Sequence, residues 1–207
     1  MKRVIFLIIV AGMVMISCKK DETTYTPDPV PEADYMQLKI GNYWVYHRVH
    51  IDATGSESPP TVDSLVITDD TLIRGNKYYK KVYTGHEHVS FYRDSSGYMI
   101  NEMGKVIFSN HDFSNVIRTD TIGPGLALAQ YRMFDPDTLI QISLGTFEVL
   151  EFRGEVTAMD PQYPHGTQYT HYYYSDGIGM IKNSNYFFNN PELKVEQRLI
   201  AFGSLLE

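Results

Sequence analysis

The sequence predicts an all-β fold, a strongly curved antiparallel sheet of about ten strands forming an open or half barrel. Three observations carry this. Short runs of aromatic and β-branched residues alternate with Gly, Asp, Asn, Ser and Pro clusters along almost the whole chain, which is the pattern of strands and turns. Helical periodicity is nearly missing. A sheet without helices must bury a face by packing on a second sheet or by curling on itself.

In chain order, the first element is a leader. Lys2 and Arg3 precede an apolar run over residues 4–16, and Ser17 and Cys18 follow, the latter being the only cysteine in 207 residues. A membrane-spanning helix needs roughly 20 apolar residues, whereas the core of a signal peptide needs about 7–15, so the run belongs to the second class. Met15-Ile16-Ser17-Cys18 resembles the lipobox of bacterial lipoproteins. The resemblance implies diacylglycerol on the Cys18 sulfur, cleavage after Ser17 and acylation of the new amine, which would anchor the protein stably in a membrane. Lys19-Lys20-Asp21-Glu22 resembles the export signal of surface lipoproteins of one Gram-negative lineage, and equally reads as a solvated charged linker. Pro27, Pro29 and Pro31 favour extended polyproline geometry, hence a semi-rigid tether. The expected organisation is a signal peptide over 1–17, a lipidated tether over 18–34 and a single β domain over 35–207. A domain of that size needs no disulfide to bury its core.

Within the domain, residues 43–51 read as a strand with Trp44, Tyr46, Arg48 and His50 on one face and Tyr43, Val45, His47, Val49 and Ile51 on the other. Residues 52–60 are a loop. Residues 62–73 follow as a strand, with Asp69-Asp70 where a break would fall, and Arg74-Gly75-Asn76 turns the chain into 77–84. Strands over 89–93, 98–102 and 105–109, joined by turns at 94–97 and 103–104, make a meander. The passage 111–143 reads as a connection, broken by Gly123-Pro124-Gly125 and Asp135-Pro136-Asp137, with one weak element over 126–133 that fits a short helix or a strand. Strands over 145–156, 170–174, 178–186 and 193–202 complete the pattern, Asp176-Gly177 turning two of them.

Gly41-Asn42-Tyr43-Trp44-Val45-Tyr46, Gly145-Thr146-Phe147-Glu148-Val149 and the run from Tyr172 to Lys182 together look like a group of uncharacterised β-rich bacterial envelope lipoproteins. The same motifs recur there in the same order. The resemblance implies a curved antiparallel sheet like the open half-barrels that carry lipids or lipoproteins across the periplasm, and implies no particular activity.

Chemistry is sparse. The chain lacks a nucleophile elbow, an H-E-x-x-H pair, a P-loop and an EF-hand loop. Glu151, Arg153 and Glu155 alternate on one strand face, where exposed cross-strand ion pairs are expected in preference to a paired-carboxylate hydrolase site. His86 and His88 stand at i and i+2, a spacing that could share zinc with His47, His50 or His111, but a solvated turn fits them better and no metal or other cofactor is expected. With 25 acidic and 18 basic residues the chain carries a formal charge of −7, and cleavage would remove Lys2 and Arg3, so nucleic acid is an unexpected partner. The 16 tyrosines are the functional lead. Trp44, Tyr46, Tyr172 and Tyr174 are the candidate ligand-binding residues, since an apolar ring with a polar tip suits glycan stacking or a hydrophobic groove; the competing reading places both faces in the core. The expected function is a non-enzymatic binding domain on an outer-membrane lipoprotein, at the cell surface or on the periplasmic face. Its partners would be the membrane through the lipid and a glycan, lipid or envelope protein. An accessory subunit of an envelope complex is the alternative, and a hydrolase a more distant one.

Overall fold

The computed structural model describes residues 33–84, 88–160, 166–187 and 190–206, so Cys18, the tether preceding Ala33 and His86 lie outside the described residues. The described residues belong to one compact unit that starts at Ala33 and contains no helix. Its strands are β1 (Asn42–Ile51), β2 (Thr61–Ile73), β3 (Asn76–Thr84), β4 (Val89–Ser95), β5 (Tyr98–Asn101), β6 (Val106–Ser109), β7 (Arg118–Ile122), β8 (Ala127–Ile142), β9 (Gly145–Ala158), β10 (Thr167–Ser175), β11 (Gly179–Phe187) and β12 (Asn190–Ser204). All pair antiparallel in one twelve-stranded sheet, as an up-and-down meander whose first and last strands lie side by side.

Local chemistry sets the turns. Ile73 pairs with Asn76 across Arg74 and Gly75, and Ser95 with Tyr98 across Ser96 and Gly97. Both central residues of each turn have positive φ, between 52° and 82°. These are the two-residue connections whose twist matches that of the flanking strands. Elsewhere register shifts bend the strands: between Val45 and Tyr46 on β1, Ile67 and Asp69 on β2, and Tyr173 and Tyr174 on β10. Bulges of this kind raise local twist and let a sheet roll up.

The sheet rolls into a nearly closed barrel with one seam, between β6 and β7. Side chains span the seam in place of a backbone ladder. Arg118 donates through an NH group to the Val106 carbonyl at 3.3 Å, and the Lys105 ammonium meets Asp120 at 2.8 Å. Two apolar clusters fill the molecule. One joins Phe108, Met133, Leu150, Phe152 and Tyr174; the other joins Trp44, Tyr46, Ile67, Ile181 and Leu199. The far end of the β8–β9 hairpin comes against the opposite face of β1 and β12, where Gln141 and Ile142 line a cleft with His47, Val49 and Arg198.

The sequence expectation needs correction in two places, both in the passage 111–143. The passage 111–143 holds two strands, β7 and the 16-residue β8, and the weak element is therefore strand. Asp135-Pro136-Asp137 does not break it: the register with β9 shifts between Phe134 and Asp137, so the proline, which cannot donate to a ladder, sits at a bulge. The reading of 62–73 as one strand holds: Asp69-Asp70 stays within β2, next to a bulge.

Candidate functional site

The barrel interior contains a cavity of about 520 Å³. That volume is in the range of roughly 300–1,000 Å³ typical of small-molecule sites. Its walls come from strand alternation: Trp44 and Arg48 of β1, Leu65 and Ile67 of β2, Lys81 and Tyr83 of β3, Tyr92 of β4, and Tyr172 and Tyr174 of β10 all point into it. Met36 and Leu38, from the segment before β1, close one part.

Three of the four residues singled out in the sequence line this space, and each does so with a different chemical freedom. Trp44 is 4% exposed and its indole N–H donates to the Ile178 carbonyl at 2.6 Å, so only the ring face is free. Tyr172 donates to Asn185 at 3.0 Å. Tyr174 packs its ring against Phe108, with centroids 4.2 Å apart. Tyr46 belongs to the core: at 1% exposure it donates to the Met180 carbonyl at 2.7 Å and is absent from the cavity wall. Burial pushes the phenols of Tyr83 and Tyr172 up to about 12, so both remain neutral donors through the physiological range.

A polar row crosses one end of the cavity. Tyr172, Asn183, Gln197 and Arg48 are successive ladder partners on β10, β11, β12 and β1. Asn183 donates to Gln197 at 2.7 Å, Gln197 donates to Asp63 at 2.7 Å, and the Arg48 guanidinium meets the same Asp63 oxygen at 2.7 Å. A connected network of this type fixes side-chain positions, because breaking any member leaves a buried polar group unsatisfied.

Sequence reasoning missed Lys81 and Arg118. Lys81 faces the cavity with its ammonium 4.8 Å from the Trp44 ring centroid and 5.9 Å from that of Tyr92. Enclosure by protein pulls its pKa down to about 8. The alternation of Tyr79, Lys81 and Tyr83 was a usable signal for its inward direction. Arg118 stacks 3.7 Å over Tyr131 and lies 3.0 Å from Asp120, and it sits in the passage that the sequence left unread.

Outside the cavity, Glu151 differs from its expected exposed pairing. It is 4% exposed and clamped by Arg153, at 2.9 and 2.6 Å, and by His171 Nδ1 of β10, at 2.5 Å. Although burial opposes ionisation, these partners hold its carboxyl at about 2. A carboxylate so fully engaged is a structural anion. On the cleft beneath the β8–β9 hairpin, Arg198 bridges Glu57 and Glu196. His88 lies at the cavity, with its ring nitrogen 3.2 Å from Ser90 Oγ and its ring 5.2 Å from Tyr83. Among the described residues no three His, Cys, Asp or Glu side chains converge to hold a metal ion.

The curved antiparallel meander sheet is a fold that a solved protein shares. The chain is similar to a crystal structure of a protein from Parabacteroides distasonis provisionally named a lipoprotein, at 15% identity and a TM-score of 0.52, covering 83% of this chain and 99% of that one. It is also similar to a provisionally named exported protein from Bacteroides fragilis described as having a YmcC-like fold, at 14% identity and a TM-score of 0.47, covering 84% and 100%. No protein-family model and no curated protein matches the chain.

Proposed function

We propose that the chain is a non-enzymatic lipoprotein of the outer membrane, anchored through Cys18 and displayed at the cell surface, whose barrel interior holds a small lipid-like ligand. The cavity carries this reading. Its wall is dominated by aromatic and aliphatic side chains, with a few placed polar groups, which is the composition of a ligand pocket. The lipobox-like Met15-Ile16-Ser17-Cys18, the charged residues 19–22 and the prolines of the tether support the anchoring and its address. The provisional lipoprotein naming of the Parabacteroides distasonis protein agrees with that assignment. Engagement of Glu151 by Arg153 and His171 supports a binding role over hydrolysis, since most of its acceptor capacity is already taken by these two side chains.

The binding reading is tested by purifying the protein from native membranes, extracting it with organic solvent and analysing the extract by mass spectrometry. A compound present in about one-to-one ratio is expected, and its loss in Leu65→Trp, which fills the cavity, is expected with it. An extract with no enriched compound in either protein would overturn the reading. For the anchor, incorporation of labelled palmitate should vanish in Cys18→Ala. Protease treatment of intact cells should remove the domain; protection would place it on the periplasmic face.

A further inference from the structure

The charges around the cavity are unbalanced. Among the described residues three cations, Arg48, Lys81 and Arg118, line it and no carboxylate does so. Arg48 is matched by Asp63 at 2.7 Å and Arg118 by Asp120 at 3.0 Å. Lys81 has neither a carboxylate nor a hydrogen-bond acceptor among the described residues; its ammonium faces the rings of Trp44 and Tyr92. An enclosed ammonium without a counter-ion is costly, and ring faces offset that cost only in part. The neighbouring phenols of Tyr83 and Tyr172 stay protonated and cannot serve as the anion. Among the described residues the interior thus carries one uncompensated positive charge, beside a space far larger than a simple inorganic ion and lined in good part by aromatic and aliphatic side chains.

We propose that the cavity takes a monoanionic amphiphile, an apolar body bearing a single acidic head, with the Lys81 ammonium binding the head and the surrounding aromatic faces holding the body. This deepens the ligand-binding reading above and rests on it. One uncompensated cation selects one negative charge: a dianion would bring a second buried charge without a partner, and a neutral ligand would leave the ammonium as it is.

Trp44 is the only tryptophan in the chain and borders the cavity, so energy transfer from it reports a dye bound there. The probes are 8-anilinonaphthalene-1-sulfonate and its uncharged parent, N-phenyl-1-naphthylamine, titrated into the mature chain from residue 18 carrying Cys18→Ser. Every described strand and both apolar clusters are retained in that chain. The sulfonated dye should bind about tenfold more tightly than the parent, as one charge-assisted contact predicts, even though the sulfonate makes it the more water-soluble of the two. Lys81→Met should abolish that preference while changing the parent's affinity by less than about twofold, and Lys81→Arg should retain it. Equal binding of the two dyes by the unsubstituted protein overturns the charge assignment and leaves the cavity reading standing, as does a preference that survives Lys81→Met. Absence of Trp44-sensitised emission with either dye overturns the cavity reading itself. Should Lys81→Met fail to fold, the dye pair on the unsubstituted protein still decides.

Discussion

Gly154 shows how closely single atoms set the interior. It has no positive φ, so its backbone would accept any residue, but an added Cβ would lie 2.5 Å from Tyr131 Cε1 and 2.5 Å from Thr170 Oγ1. Those residues are its ladder partners on β8 and β10, and Tyr131 in turn stacks on Phe152 at 5.2 Å and carries Arg118. Gly154→Ala should therefore act by overpacking, lowering stability by about 1–3 kcal/mol, seen as a lower urea midpoint at unchanged slope. Glu151 makes a second residue-scale prediction. Its folded pKa, about 2, lies below its ordinary 4.5, so its contribution is fully present above pH 4.5 and is lost as pH falls towards 2. Glu151→Gln should cost about 1–3 kcal/mol at pH 7, the lower end being favoured because Arg153 and His171 are partly exposed. Thermal melts of the two proteins should converge as pH is lowered through that window; a constant gap between them would contradict the linkage.

At the scale of elements, the seam is the weak line of the barrel. β6 and β7 are the end strands of the sheet, four and five residues long, and each has a backbone edge with no ladder partner. Asp120 serves both Lys105 across the seam and Arg118 on its own strand. Asp120→Asn should lower global stability by about 1–3 kcal/mol, because it removes the carboxylate from the mostly buried Arg118 as well as from Lys105, while amide exchange in β6 and β7 should accelerate well beyond that in β1 and β12. Uniform acceleration across all strands would show that the seam is not an independent unit. The same region marks where the sequence was legible and where it was not. Strands bounded by two-residue turns with positive φ, such as Arg74-Gly75 and Ser96-Gly97, were readable because turn chemistry and alternation agree there. β8 was not, since Pro136 and two aspartates mimic a loop and only pairing with β9 across a bulge reveals a strand. The candidate site divides the same way. Trp44, Tyr172 and Tyr174 were visible from composition and alternation, whereas Lys81 acquires meaning only when neighbouring strands bring cations together with no carboxylate on the wall among the described residues.

For the whole molecule, the topology separates covalent continuity from structural continuity. The sheet is interrupted between β6 and β7, although the chain runs directly from one to the other through residues 110–117. It is continuous between β1 and β12, although these lie at opposite ends of the domain in sequence: Asn42 pairs with Ser204, and Leu205 donates its N–H to the Gly41 carbonyl. A circular permutant opened within 110–117, with residue 206 joined to residue 33 by a flexible Gly/Ser linker, keeps every ladder and breaks only loop contacts. Those include the Tyr98–Asp112 hydrogen bond and the edge contact of Tyr98 with His111. It should fold with the Trp44 emission of the parent and lose no more than about 2 kcal/mol. Opening the chain at Asp176-Gly177 is the contrasting case. That cut splits the β10–β11 hairpin and disturbs the bonds by which Asp34 fastens the leading segment to this turn, at 2.7 and 3.1 Å. It also strikes strands that carry Tyr172, Tyr174 and Met180 into the cavity. The second permutant should be the less stable and should lose Trp44-sensitised dye emission first. If the two permutants unfold at the same urea concentration, the sheet does not have its mechanical gap between β6 and β7, and the barrel would have to be regarded as closed there by more than Arg118 and Lys105.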